Sequence, residues 1–205
     1  MKKALIFDLD NTVYPVAAIS SQLFEPIHAL LEQELDNDTY KKVQEDITRM
    51  PFQKVADMYA FSDDLKQNSL QVLRGLRCDD AIEPYTDYLQ TKELKLDKFL
   101  VTIGFTELQW SKVKQLQIEN DFKEIYIVDP DKSTITKKDI FQQIKEKYNY
   151  TFDEMLVIGD DPESEIAAAT VLGIDTYLYD PGKRHSSAKA VHHSDSFAGL
   201  MDLLN

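Results

Sequence analysis

Two carboxylates follow the first apolar run of this sequence, where they could hold a metal ion or act on a substrate. Asp8 and Asp10 come after the run that begins at Ala4. Side chains two residues apart project from the same side of an extended chain, and two carboxylates so placed repel unless a cation lies near them. Hard oxygen ligands of this kind favour Mg²⁺. The alternative is an acidic turn that caps the next element.

A second acidic group follows the apolar run Met155–Ile158. Asp161 is suited to cap a helix, with Pro162 as its first residue and Glu165 as a favourable charge in its first turn. Capping does not explain Asp160, which falls at the tip of the run. We therefore expect Asp160 to be a third carboxylate of the same metal site.

Candidate phosphate-binding residues follow two other apolar runs. Thr102 is followed closely by Gly104, and a hydroxyl beside a glycine permits close approach of the backbone to an anion. Lys132, Lys137 and Lys138 follow the next run. The dipole of a helix does not favour a lysine at its start, so such a lysine indicates a role in pairing with a phosphate. For each lysine the alternative is a solvated surface position.

The runs that carry these residues predict a doubly wound parallel α/β sheet. The predicted strands are Ala4–Leu9, Phe99–Ile103, Ile125–Val128, Met155–Ile158 and Ile174–Tyr179. Apolar runs of this length fit strands buried on both faces, and helical spacing of apolar residues separates the last four of them. Strand and helix in alternation favour right-handed crossovers. Ligands in such sheets bind at the carboxyl ends of the strands.

A helical insert is predicted between the first two strands, because residues 16–92 are too long for a crossover. Its apolar stripes are Leu23, Ile27, Leu30 and Leu31; Tyr40, Val43, Ile47 and Met50; Phe52, Val55 and Tyr59; and Leu65, Val72 and Leu76. Asp38 or Thr39 is suited to cap the second helix, and Pro51 to be the first residue of the third. We predict two domains: an α/β core of residues 1–15 and 93–205, and a helical domain of residues 16–92.

The composition excludes several classes of partner. The chain has 205 residues, 36 of them acidic and 23 basic, with a net charge of −13. A binder of polymeric nucleic acid needs a basic face, which this balance does not provide. No apolar run approaches the roughly 20 residues that cross a bilayer, so we expect no membrane partner. One cysteine, Cys78, favours a reducing, cytoplasmic location. The sequence does not indicate an oligomeric state.

In their type and order, these motifs resemble those of the haloacid dehalogenase-like (HAD) hydrolase superfamily. Asp8–Thr12 is similar to its first motif, Thr102 to its second and Gly159–Asp161 to its fourth. A lysine near the helix after strand three is similar to the third. An insert between the first two motifs resembles the type-one cap, which closes over the active site. The resemblance therefore implies the same architecture as the strands and the insert do, an α/β core with a helical cap.

The resemblance also implies a phosphatase that uses Mg²⁺ and acts on a small phosphorylated metabolite. Asp8 would attack phosphorus and carry an aspartyl-phosphate, while Asp10 would protonate the leaving oxygen and then activate water. Mg²⁺ would be held by the Asp8 side chain, the Asp10 backbone carbonyl and Asp160. Thr102 and Lys137 would bind the transferring phosphoryl group.

Two motifs depart from the family pattern. Proline commonly follows the lysine of the third motif, whereas here Lys138 follows Lys137. We choose Lys137 for this role, with Lys138 as the second candidate. The fourth motif often ends in Asp, where this chain has Glu165. Glu165 and Asp161 are expected to support the metal site indirectly.

The substrate and the fate of the phosphoryl group stay open. Tyr14-Pro15 resembles a feature of pyrimidine 5′-nucleotidases, which makes a nucleoside 5′-monophosphate one candidate substrate. The residues expected to set specificity lie around Tyr14, Phe24, Arg49, Phe52 and Tyr59. A phosphomutase, which retains the phosphoryl group, and a non-catalytic phosphoryl-binding scaffold are the alternatives. Asp10 argues against dehalogenation, because the dehalogenase branch does not keep an Asp at that position.

Overall fold

The protein is organised around a parallel β-sheet. A computed structural model describes residues 1–47 and 50–204 of the chain. The strands are β1 (Ala4–Phe7), β2 (Asp97–Ile103), β3 (Glu124–Val128), β4 (Met155–Gly159), β5 (Asp175–Tyr179) and β6 (His192–Ser194). Their order across the sheet is β3-β2-β1-β4-β5-β6, and each pair of neighbours is parallel. This order places β1 in the middle, between β2 and β4.

Helices cover both faces of the sheet, as the apolar strands require. The helices after β2, β3, β4 and β6 are α6 (Thr106–Gln115), α7 (Lys137–Tyr148), α8 (Glu165–Leu172) and α9 (Ala198–Leu204). In β1, Leu5 and Phe7 join the apolar cluster that includes residues of α6 and α9. Ala4 and Ile6 point the other way, into the cluster that includes residues of α7 and α8. The doubly wound α/β fold predicted from the sequence is therefore confirmed.

The region between β1 and β2 is helical. Its helices are α1 (Ser20–Leu23), α2 (Glu25–Glu34), α3 (Asn37–Asp46), α4 (Phe52–Met58) and α5 (Asp63–Gly75). Their buried side chains, Ile27, Val43 and Val55 among them, belong to the same apolar cluster as Phe7 of the sheet. The insert therefore packs against one face of the core. Its assignment as a separate cap domain of residues 16–92 stays a prediction.

Several predicted boundaries are wrong, and local hydrogen bonding explains most of them. The side chain of Asp36, rather than Asp38 or Thr39, caps α3 by accepting the N–H groups of those two residues. Pro51 precedes α4 in an extended conformation instead of opening it. Asp161 does not cap α8, because three residues in a turn intervene before that helix begins.

Helix and strand lengths also differ from those predicted. Predicted stripes ran past the ends of the insert helices; Met50, Tyr59 and Leu76, for example, lie outside them. Strand β1 ends at Phe7 rather than Leu9, because the chain then turns, with Asn11 at a φ of 56°. Strand β6 and helix α9 were not predicted. No helix in the described part of the chain has both the length and the apolar character to cross a membrane.

Candidate active site

A cavity of about 530 Å³ opens at the carboxyl end of the central strands. Asp8 directly follows β1, Thr102 lies near the end of β2, and Asp160 directly follows β4. Because β1 pairs with both β2 and β4, these three residues meet at one edge of the sheet, and all three line the cavity. The backbone N–H of Asp8 donates to the carbonyl of Ile158 at 2.9 Å, which fixes the chain as it leaves the strand.

Lys137 enters this cavity from the first residue of α7. Its Nζ donates to Asp8 Oδ1 at 2.6 Å and to Glu165 Oε2 at 2.7 Å, and the residue is only 5% exposed. A reciprocal capping interaction between Thr136 and Asp139 fixes the start of the helix and therefore the position of the lysine. Burial opposes its charge, but the two carboxylates hold the pKa of Lys137 above its ordinary value.

The other two candidate lysines lie elsewhere. Lys132 is exposed and reaches Asp129 at 3.5 Å, while Lys138 is exposed on α7. Among these three lysines, therefore, Lys137 is the one that contacts Asp8. Its role as the lysine of the third motif stays a prediction.

A buried acidic group surrounds the Lys137 ammonium. Oxygen atoms of Asp8, Asp160 and Glu165 lie within 4.8 Å of one another. Burial raises the pKa of Asp8, and although Lys137 opposes this rise, Glu165 adds to it. Burial likewise raises the pKa of Asp160, followed by the negative charges of Glu165 and Asp8. Lys137 and Arg184, which contacts Asp160 at 3.0 Å, together carry two positive charges against three carboxylates, so a divalent cation with a preference for oxygen ligands, such as Mg²⁺, fits this group.

Glu165 was expected to support the metal site indirectly, but its side chain is itself part of the buried acidic group. It is 2% exposed, and its Oε1 accepts the N–H of Asp161 at 2.8 Å. Gly159 makes room for it, because a Cβ atom at that position would lie 2.1 Å from Glu165 Oε1. The Asp161 side chain instead accepts the N–H of Glu163 and stays outside the acidic group.

The carboxylate of Asp10 is held by a separate set of donors. It accepts hydrogen bonds from Lys112 Nζ at 2.9 and 3.0 Å, from the Tyr14 hydroxyl at 2.5 Å and from Gln109 Nε2 at 3.0 Å. The side chain of Lys112 is 4% exposed and that of Asp10 is 28% exposed. Burial opposes ionisation, but Lys112 and the hydrogen bonds outweigh it and hold the pKa of Asp10 below its ordinary value.

Gln109 connects this set to the predicted phosphate site. Its Nε2 also donates to Thr102 Oγ1 at 2.7 Å. Gly104 gives the side chain space, because its φ of 155° disfavours other residues and a Cβ there would lie 3.0 Å from Gln109. Thr102 and Asp10 are thus held by one amide.

The sequence did not predict the roles of Gln109, Lys112 and Arg184. Arg184 follows β5 and places its Nη2 3.0 Å from Asp160 Oδ2. Gln109 and Lys112 are three residues apart and so share one face of α6. That spacing is ordinary for polar residues on a helix surface, so no local pattern in the sequence distinguishes these three residues.

The residues expected to set specificity lie in different surroundings. Phe24 and Phe52 line the cavity. Tyr14 is fully buried and donates to Asp10, and Tyr59 donates to Asp46. Arg49 lies outside the described residues.

Known proteins similar to this chain indicate its family. A family model for haloacid dehalogenase-like hydrolases matches residues 2–173. A glyceraldehyde 3-phosphate phosphatase from Methanopyrus kandleri is 24% identical, over 89% of this chain and 86% of that protein.

Solved structures of low sequence identity share the fold. The haloacid dehalogenase-like family protein SP0104 from Streptococcus pneumoniae has a TM-score of 0.75 at 15% identity, covering 100% of this chain and 99% of that one. The HAD-hydrolase YfnB from Bacillus subtilis, bound to magnesium, has a TM-score of 0.69 at 19% identity, with the same coverage of 100% and 99%.

Proposed function

The chain belongs to the haloacid dehalogenase-like hydrolases, and we propose that it is a Mg²⁺-dependent phosphatase that hydrolyses a small phosphomonoester through an aspartyl-phosphate on Asp8. The observation that carries this proposal is the pairing of Asp8 with Lys137, 2.6 Å apart, beside the carboxylates of Asp160 and Glu165. A nucleophile, a cation for the phosphoryl group and an acidic metal site then occupy one strand edge, as phosphoryl transfer requires.

Each residue has a defined part in the proposed reaction. An Asp8 oxygen attacks phosphorus and the bond to the alcohol oxygen breaks, with Asp10 giving that oxygen a proton. Asp10 then takes a proton from the water that attacks phosphorus, which frees inorganic phosphate and regenerates Asp8. The Thr102 hydroxyl and the Lys137 ammonium hold the phosphoryl oxygens throughout.

Mg²⁺ is expected to be held by Asp8, the backbone carbonyl of Asp10 and Asp160, with Glu165 and Asp161 in support. When bound, it would neutralise charge on the phosphoryl oxygens. The contact with Lys112 favours the ionised form of Asp10, which is the form that activates water. For the first step Asp10 must take up a proton, which this contact opposes.

The substrate candidates come from two sources. The Methanopyrus relative bears the name glyceraldehyde 3-phosphate phosphatase, which makes a triose phosphate one candidate. Tyr14-Pro15 makes a nucleoside 5′-monophosphate another. Tyr14 donates to Asp10, however, so its hydroxyl supports the acid–base residue rather than substrate selection.

The test is release of inorganic phosphate from a panel of phosphorylated metabolites in the presence of Mg²⁺. We expect turnover that is lost on chelation and in Asp8→Asn, which keeps the size of the side chain but removes the nucleophile. Asp63→Asn, which neutralises an exposed carboxylate in the first turn of α5, is the control and should stay active. Turnover of Asp8→Asn at the wild-type rate would exclude Asp8 as the nucleophile. Isomerisation of a hexose monophosphate without free phosphate would instead indicate a phosphomutase.

A further inference from the structure

The cavity extends from the acidic group into an apolar chamber formed by the insert and the core together. Large side chains that line this part are Phe24, Ile47, Phe52, Leu73, Phe105 and Leu108. The first four come from the insert, and the last two precede or begin α6. The whole cavity, with the acidic group included, has a volume of about 530 Å³, which falls within the roughly 300–1,000 Å³ typical of sites that enclose a drug-sized ligand.

We infer that the alcohol part of the substrate is an apolar group about the size of an aromatic ring, which occupies this chamber while the phosphate lies against Lys137. The inference rests on the proposed function, because that function fixes which end of the cavity receives the phosphate. The alcohol part then has to lie elsewhere in the cavity that Asp8 and Lys137 line, and the apolar chamber is part of that cavity. Its occupant is therefore part of the substrate and not a separate ligand.

The chemistry of the chamber favours an apolar occupant over a polyol. Polar side chains such as Asn11 and Gln53 also line the cavity, but the six large side chains named above carry no hydrogen-bonding group. Hydroxyl groups placed against those six would lose their hydration without compensation. An apolar ring in the same space would instead be removed from water favourably. Charged side chains at the rim already have partners: Lys54 reaches Glu163 at 3.9 Å, and Arg184 reaches Asp160 at 3.0 Å.

The aromatic wall is supported from behind, which makes it a fixed surface. Phe52 is 5% exposed and packs against Phe61 with ring centroids 6.1 Å apart. Phe24 is 8% exposed and meets the His28 ring edge-on, at 6.5 Å. Rings held in this way present a preformed apolar face, so little ordering is needed when a ligand binds.

Binding of two non-hydrolysable phosphonates to the wild-type protein with Mg²⁺ tests the inference. 3-Phenylpropylphosphonate resembles a phosphomonoester with a ring, and propylphosphonate has the same head and chain without it. We expect titration calorimetry to give a Kd for the phenyl compound at least about 10-fold lower than that for propylphosphonate. Even one extra methylene in an apolar pocket can change binding by about 10-fold. Equal Kd values, or no binding of either compound, would overturn the inference.

A matched pair of variants locates the ring. Phe52→Leu and Phe122→Leu make the same change in the same apolar cluster, but the described lining of the cavity includes Phe52 and not Phe122, whose ring packs against Phe7. Phe52→Leu should weaken binding of 3-phenylpropylphosphonate about 5-fold and leave propylphosphonate unchanged. Phe122→Leu should leave both unchanged, and equal effects of the two variants would contradict the assignment. Hydrolysis of ethyl phosphate that depends on Asp8 would sustain the proposed function even if the phenyl group gave no advantage.

Discussion

The contact between Lys112 and Asp10 predicts a measurable loss of both stability and activity in Lys112→Met. The substitution keeps the length of the side chain but leaves the Asp10 carboxylate without its cation. Loss of one partner from a fully buried pair costs about 3–5 kcal/mol. Asp10 is 28% exposed at its side chain and keeps its bonds from Tyr14 and Gln109. We therefore expect a smaller loss than this, of about 2 kcal/mol.

Thermal unfolding followed by circular dichroism measures this loss. For a chain of 205 residues, about 2 kcal/mol corresponds to a fall in Tm of about 4–8 °C. The control is Lys114→Met, which removes an exposed lysine from the same helix and should change stability by less than about 0.5 kcal/mol. In Lys112→Met, kcat should fall about 10- to 100-fold, because Asp10 loses its fixed position.

A double-mutant cycle separates the ion pair from simple packing. If the pair is responsible, Asp10→Asn should restore part of the stability that Lys112→Met loses, because no charge then lacks a partner. A Tm of Lys112→Met equal to that of wild type would show that the contact between Lys112 and Asp10 does not stabilise the protein. So would additive effects of the two substitutions, since they would place the loss in packing around Lys112 alone.

Three further results are expected. In Gly159→Ala the new Cβ should displace the Glu165 carboxylate, so that Mg²⁺ no longer raises the Tm. In the control Gly75→Ala the new Cβ meets open space, and Mg²⁺ should raise the Tm as in wild type. Mg²⁺ at about 100 times its Kd should add about 2.7 kcal/mol to the free energy of unfolding, and absence of a shift would argue against the metal site. The pKa values of Asp8 and Asp160 are raised in the folded state, so that state keeps protons that the unfolded chain releases. The stability of the metal-free protein relative to Asp8→Asn, measured in urea, should therefore fall as pH rises from the ordinary carboxylate range toward neutrality; a rise would contradict the burial of Asp8.

The site residues that directly follow a strand could be predicted from the sequence. Asp8 and Asp160 were identified because parallel strands bring their carboxyl ends to one edge, and this depends only on the order of strands and helices. The same rule, together with the start of a helix, indicated Lys132, Lys137 and Lys138, and the resemblance to the third motif of the family favoured Lys137. The fold was predictable for the same reason, since long apolar strands in alternation with helices permit few arrangements.

Residues whose positions depend on long-range packing were missed. Lys112 lies in the last turn of α6, where a lysine is ordinary, and only the tertiary structure turns it toward Asp10. Arg184 reaches the site because the buried Asp180 side chain accepts the N–H groups of Arg184 and His185 and sets the course of their loop. Neither contact has a local pattern in the sequence.

The most direct test of the central claim is detection of a phosphoryl group on Asp8. Protein in steady-state turnover would be quenched, reduced with borohydride to convert the acyl phosphate to a stable alcohol, and mapped by peptide mass spectrometry. We predict reduction of Asp8 alone, dependent on substrate and absent from Asp8→Asn. A reacting enzyme that shows no modification, or modification of another residue, would contradict the assignment of Asp8 as the nucleophile.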